Sequence, residues 1–355
     1  MIDLEKLHLL EPFWKAGTVH REGLFFIQEA DDQPPSARLL LAPDKVVELA
    51  SATGEVLYEP GRDYQVDSAG PRVTLTPGSR IPFRRRADMY LPKGSPNSIP
   101  HLVGDENTHL YFSEGHAFHF LQAEATYTTC ARWEGFVPRY AGGDLPRTLG
   151  KLGGGLGLSM AVVGDSISAG GNASLDVPPF MPAFPELVRL VLTKVYGGPV
   201  ELVNLAKGGT GAGYGVEVAP QVAALRPDLV FIAFGMNDVG GRKSEGYRKR
   251  VAQIMQIVQS GSPQAEFILV ATMRANPQWA LSPADQFAPY RDALAGLCGP
   301  GAVLANVTSL WTDLLARKNY HDLTGNGVNH ANDYGHRLYA QVILSLLVQG
   351  LTPKP

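Results

Sequence analysis

The sequence predicts an α/β protein: a five-stranded parallel sheet covered by helices on both faces, preceded by a β-rich, sandwich- or jelly-roll-like region. Two observations carry this. Residues 1–150 hold short β-like runs separated by turn residues, the texture of an all-β unit. Residues 151–355 alternate apolar strands with helical stretches, the texture of βα units on a parallel sheet. The chain has 355 residues, enough for two domains of ordinary size, expected at 1–150 and 151–355.

In the first part the runs are Ala37–Leu41, Val46–Leu49, Glu55–Tyr58, Tyr64–Val66 and Arg72–Leu75. Pro34-Pro35, Pro60-Gly61, Ala69-Gly70-Pro71 and Pro77-Gly78 separate them. A further β stretch, Phe118–Tyr127, either rejoins that sheet or covers the next domain. Residues 141–157 are rich in Gly and Pro and read as a connector.

In the second part the strands are Met160–Val163, Val200–Asn204, Asp228–Phe234, Glu266–Ala271 and Ala302–Val307. Helices are expected at Pro185–Tyr196, Ser244–Ser260, Asp285–Leu297 and Asp333–Val348, the last with Leu338, Val342, Ile343, Leu346 and Leu347 inward. Open sheets of this kind bind ligands at the carboxyl ends of their strands. The residues following each strand are therefore the candidate site.

After the first strand comes Gly164-Asp165-Ser166-Ile167-Ser168, and after the second Asn204-Leu205-Ala206-Lys207-Gly208-Gly209-Thr210. After the third comes Gly235-Met236-Asn237-Asp238, and before the last helix Asn329-His330-Ala331-Asn332-Asp333. This set suits acyl transfer. A serine hydroxyl is a poor nucleophile without a base, and imidazole titrates where a base is needed, so Ser166 pairs with His330. The oxyanion needs fixed donors: the amides of Ser166 and Gly209 and the Asn237 side chain. Asp165 is expected to organise the turn, Ser168 to cap the short helix and Asp333 to cap the last one.

These four blocks, in order and each at a strand end, resemble the SGNH (GDSL-type) hydrolases over roughly residues 158–350. The resemblance implies a three-layer α/β/α fold and a serine esterase requiring no metal. It implies Ser166 as nucleophile, His330 as base, and Ser166, Gly209 and Asn237 as oxyanion donors. The family usually places an aspartate three residues before the histidine, where this chain has Gly327. The group that orients the imidazole stays open: Asp322 as the nearest upstream carboxylate, a backbone carbonyl leaving a Ser–His dyad, or another group. A β-rich segment before such a domain also resembles the two-domain carbohydrate esterases, which remove acetyl groups from sugars.

Other classes fit poorly. With 31 basic and 34 acidic side chains the net charge is −3, without the basic surplus of a nucleic-acid or acidic-membrane binder. No apolar run spans a bilayer, and Met1–Lys6 does not read as a signal peptide, so a cytoplasmic protein is expected. Cys130 and Cys298 show no disulfide or metal spacing. His101, His109, His116 and His119 cluster, but His116 and His119 would face opposite sides of a strand, and no cofactor is expected. The segment Gly208–Gly215 lacks a nucleotide-binding register, and Gly164–Ser168 departs from G-x-S-x-G. Trp279, Tyr214 and Trp311 line either a sugar subsite or the core. The expected partner is a small-molecule or oligosaccharide ester. A lipase or thioesterase on the same fold and a catalytically weakened glycan binder are the alternatives.

Overall fold

The computed structural model describes residues 3–15, 17–67, 70–101, 105–281 and 283–351. Its centre is an all-parallel sheet of five strands: β1 (Leu158–Gly164), β2 (Val200–Asn204), β3 (Leu229–Ala233), β4 (Glu266–Ala271) and β5 (Ala302–Asn306). Their spatial order is β2-β1-β3-β4-β5. Every residue of β3 and β4 is buried, as near-continuous apolar strands covered on both faces require. The chain leaves β1 toward β2 on one side and returns to β3 on the other. The carboxyl end of β1 is therefore the switch point, where a crevice opens.

Helices Phe184–Tyr196 and Asp333–Leu347 pack on each other, as do Ala212–Leu225, Ser244–Gly261 and Phe287–Ala295 in sequence. These two groups form the outer layers of an α/β/α sandwich. The helix Ala212–Leu225 is absent from the sequence reading, because Gly213, Gly215 and Pro220 make that segment read as loop. The expected connector also contains a helix, Pro146–Gly153, with proline in its first turn, where the missing N–H costs nothing.

The N-terminal part is strand-rich. An antiparallel sheet orders Gly17–Phe25, Gln122–Thr129 and Lys45–Ser51. A second sheet orders Tyr64–Val66, Arg72–Leu75, Ser36–Arg38, Ile27–Gln28 and Arg84–Arg85, and a third orders Tyr90–Pro92, Thr108–Tyr111 and Ser98–Ile99. The expected strand Glu55–Tyr58 is reduced to a bridge between Leu57 and Ala50. The stretch expected from Phe118 begins with a 3₁₀ turn, His119–Leu121, and becomes the central strand of the first sheet.

This part is clamped onto the last helix. All fifteen residues of Asp333–Leu347 are buried, not only the inward stripe. Arg337 donates to the carbonyls of His20 and Arg21 and to Glu124, and Gln341 donates to the His8 carbonyl at 3.2 Å. Below it lies a buried charge cluster. Lys318 pairs with Glu22, sits 3.5 Å from Asp322 and donates to the Arg38 carbonyl at 2.8 Å. Tyr127 and the Leu40 amide complete the bonding of Glu22. Among the described residues no helix is long and apolar enough to cross a membrane, and Cys130 and Cys298 are free thiols.

Candidate active site

Strand β1 ends in a tight turn that presents Ser166. Asp165 is the N-cap of the short helix Ser166–Ala169, and its Oδ1 accepts from the Ile167 amide at 3.1 Å. This carboxyl is almost wholly buried, and desolvation raises it to about 7. Asp165 thus organises the turn and also takes the capping position expected of Ser168. The Ser168 hydroxyl lies buried inside the helix with no hydrogen-bond partner among the described residues.

His330 comes from a loop that folds back on itself. The Asn326 Oδ1 accepts from the amides of Val328, Asn329 and His330, at 3.0, 3.0 and 3.1 Å. The His330 carbonyl accepts from the Gly325 amide and the Thr324 hydroxyl. The result places His330 Nε2 2.8 Å from Ser166 Oγ. Residues 164 positions apart in sequence thus meet at hydrogen-bond distance.

The other ring nitrogen has an unexpected partner. Nδ1 lies 2.6 Å from Asn172 Oδ1. The Asn172 amide is oriented by its own donors: Nδ2 bonds the carbonyls of Gly115 at 2.6 Å and Gly325 at 3.2 Å. Oδ1 is therefore the atom turned to the ring, and it can only accept. Nδ1 must carry the proton, which leaves the Nε2 lone pair facing Ser166. Asn172 has φ +61°, in the left-handed region that asparagine tolerates better than most residues. No motif marks it in the sequence.

Asp322 does not orient the histidine. Its carboxylate accepts from the Phe25 amide at 2.7 Å and the Asn319 amide at 3.1 Å, and it faces Lys318. It is a structural anchor for the first N-terminal strand, raised to about 6 by burial. Asp333 is not the helix cap either. Asn332 caps that helix through the Gly335 amide, while Asp333 accepts from the Ser174 amide and hydroxyl.

Gly327, where the family carries its aspartate, has φ +85°. A Cβ there would lie 2.6 Å from Phe118 Cζ and 2.9 Å from the Tyr111 carbonyl oxygen. The N-terminal part occupies the space that a side chain would need.

The expected oxyanion donors border the same rim. Gly209 lies in an exposed loop with φ +72°, and a Cβ on its neighbour Gly208 would lie 3.8 Å from Ser166 Cβ. The Lys207 amide ties this loop to the Gly164 carbonyl at 3.0 Å. Asn237 spends one Nδ2 hydrogen on the Thr210 carbonyl at 2.8 Å, which links it to the Gly209 loop and leaves its second hydrogen unengaged by that bond. Asp238 accepts from the Ala212 amide and anchors the start of the helix Ala212–Leu225.

A cleft of about 380 Å³ adjoins Asn237, lined by Met236, Gly240, Arg242, Trp279 and Leu281 among others. Trp311 is fully buried core, and the Tyr214 hydroxyl donates to the Leu205 carbonyl. A depression of about 500 Å³ beside Phe136, Arg274 and Arg291 includes neither Ser166 nor His330. The clustered histidines have separate partners: His101 with Thr108, His109 with Ser98, His116 with Asp176 and His119 with the Pro178 carbonyl. Among the described residues one group has metal-ligand spacing, His8, Glu11 and His20.

The family model of the GDSL-like lipases and acylhydrolases matches residues 162–338, a stretch that contains Ser166, Asn172, Gly209, Asn237 and His330. Residues 162–338 are a GDSL-like lipase/acylhydrolase domain. No curated protein matches the sequence significantly. Among solved structures, this GDSL-like chain is similar to a lipase from a goat rumen metagenome at 15% identity, covering 55% of this chain and 99% of that one, TM-score 0.45. It is also similar to an acetylxylan esterase from Geobacillus stearothermophilus at 17% identity, covering 56% and 97%, TM-score 0.44.

Proposed function

We propose that this GDSL-like hydrolase is a serine esterase that removes small acyl groups, with acetyl esters of carbohydrates as its substrate class. The observation that carries the reading is the 2.8 Å contact between Ser166 Oγ and His330 Nε2, with the tautomer set by Asn172 at the opposite nitrogen. Ser166 Oγ attacks the acyl carbon while its proton passes to Nε2. The amides of Ser166 and Gly209 and the Asn237 side chain receive the oxyanion. The Nε2 proton then goes to the leaving alcohol, and water repeats the sequence on the acyl-enzyme.

The cleft beside Asn237 supports the substrate class. Trp279 offers an apolar face, and Arg242 and Asn237 offer donors, the mixture that holds a sugar ring. Wild type and Ser166→Ala are to be compared on p-nitrophenyl acetate and on acetylated oligosaccharides. Turnover by wild type alone is expected. Equal rates would overturn the hydrolytic reading, and a strong preference for octanoyl or longer esters would replace a deacetylase with a lipase or thioesterase.

A further inference from the structure

The imidazole has a second neighbour at Nδ1. Glu114 Oε2 lies 3.5 Å away, and it comes from the N-terminal part of the chain. The residues on either side of Glu114 are pinned to the catalytic loops. The Ser113 amide donates to the Asn326 carbonyl at 3.3 Å, and the Gly115 carbonyl accepts from Asn172. The carboxylate is thus delivered by a held segment. Among the described residues no other carboxylate lies in ion-pair range of His330. The same segment, through Tyr111 and Phe118, fills the space beside Gly327. One stretch therefore removes the family's usual acid position and brings in a carboxylate of its own.

We propose that Glu114 is the acidic positioning residue of this site: its carboxylate, supplied by the β-rich part, balances the charge that His330 acquires on taking the Ser166 proton. The inference rests on the hydrolytic reading above. In the step, Oγ bonds the acyl carbon and the hydroxyl proton moves to Nε2. Nδ1 keeps its proton on Asn172, and Glu114 stays ionised, held below the usual carboxylate range by its contact with His330. Asn172 and Glu114 divide the work of one aspartate. The amide fixes the tautomer and the carboxylate supplies the charge.

Glu114 is 60% exposed, so water screens the pair strongly. For a charge pair at 3.5 Å under such screening the expected effect on rate is about tenfold. The experiment measures kcat and KM on p-nitrophenyl acetate, and melting temperature, for wild type, Glu114→Gln, Glu114→Asp and Ser166→Ala. Glu114→Gln is expected to lose at least about fivefold in kcat, with KM within about twofold and melting unchanged. Glu114→Asp, which restores the charge, is expected to recover part of the loss. Glu114→Gln within about twofold of wild type in kcat, or Glu114→Asp as slow as Glu114→Gln, overturns the role of the charge while leaving the esterase intact. Ser166→Ala as active as wild type overturns both.

Discussion

Gly327→Asp would return a carboxylate to the position three residues before His330, and the structure predicts damage instead of gain. The residue sits at φ +85°, where an L side chain is strained by about 1–3 kcal/mol. Its Cβ would come within 2.6 Å of Phe118 Cζ and 2.9 Å of the Tyr111 carbonyl oxygen. Phe118 is fully buried, packed between Phe25, Tyr111 and His321, so it has no free space to move into. Overpacking of that kind costs about 1–3 kcal/mol more. The sum, roughly 2–6 kcal/mol, corresponds to a fall in melting temperature of about 3–8 °C for a chain of 355 residues unfolding as a unit. Differential scanning fluorimetry of wild type, Gly327→Asp and Gly327→Ala measures it, with kcat on p-nitrophenyl acetate alongside. Both variants should melt early, the alanine showing the steric and backbone part alone. A Gly327→Asp protein that melts with wild type and hydrolyses faster would refute the reasoning, because Phe118 would then have yielded and the acid position would be open.

Asn172→Ala should lower kcat by about 10–100-fold with little change in KM, since it removes the acceptor that fixes the tautomer and supports the imidazolium; steady-state kinetics on p-nitrophenyl acetate would show otherwise if KM alone moved. Lys318→Met leaves Glu22 and Asp322 buried without their cation, and urea unfolding should report a loss of about 3–5 kcal/mol; an unchanged midpoint would mean that the ion pairs add nothing to stability. Burial raises the Asp165 carboxyl to about 7, so the folded protein holds a proton that the unfolded chain has released. Stability from this group is full below the unfolded value near ~4 and is lost as pH rises through about 7. The melting temperature of Asp165→Asn should therefore decline less than that of wild type between pH ~5 and ~8, and equal slopes would count against the assignment.

The parallel sheet was legible because strands buried on both faces must be almost wholly apolar, as β3 is and as β4 is after Glu266. The Ser166–His330 contact was legible because each of the two sits in a short, recognisable block at a strand end or before a helix; Gly209 and Asn237 come from blocks of the same kind, and their oxyanion role is part of the proposal above. What orients the histidine was not. Asn172 and Glu114 belong to no motif, and they reach His330 only through the packing of distant loops. The departure at Gly327 was visible, but its cause lies in Phe118 and Tyr111, more than two hundred residues upstream. The helix Ala212–Leu225 was hidden by its glycines, of which Gly215 allows close approach to Phe234 and Ile254. Asp322 misled because proximity in sequence was the only criterion available. Three-dimensional packing commits it to the Phe25 amide and Lys318 instead.

The last helix, Asp333–Leu347, is buried along its whole length and on every face. A chain beginning at residue 151 would strip its outer covering of Arg21, Glu124 and the His8 and His20 carbonyls, leaving Arg337 and Gln341 unbonded beside bare aliphatic surface. Such a fragment would clump rather than fold, and its histidine loop would lose the Gln122 bonds to His321 and Thr324 that moor it. The β-rich portion is therefore no loose appendage but part of the wall beside Ser166 and His330, and the two halves are expected to be expressed and engineered as one piece.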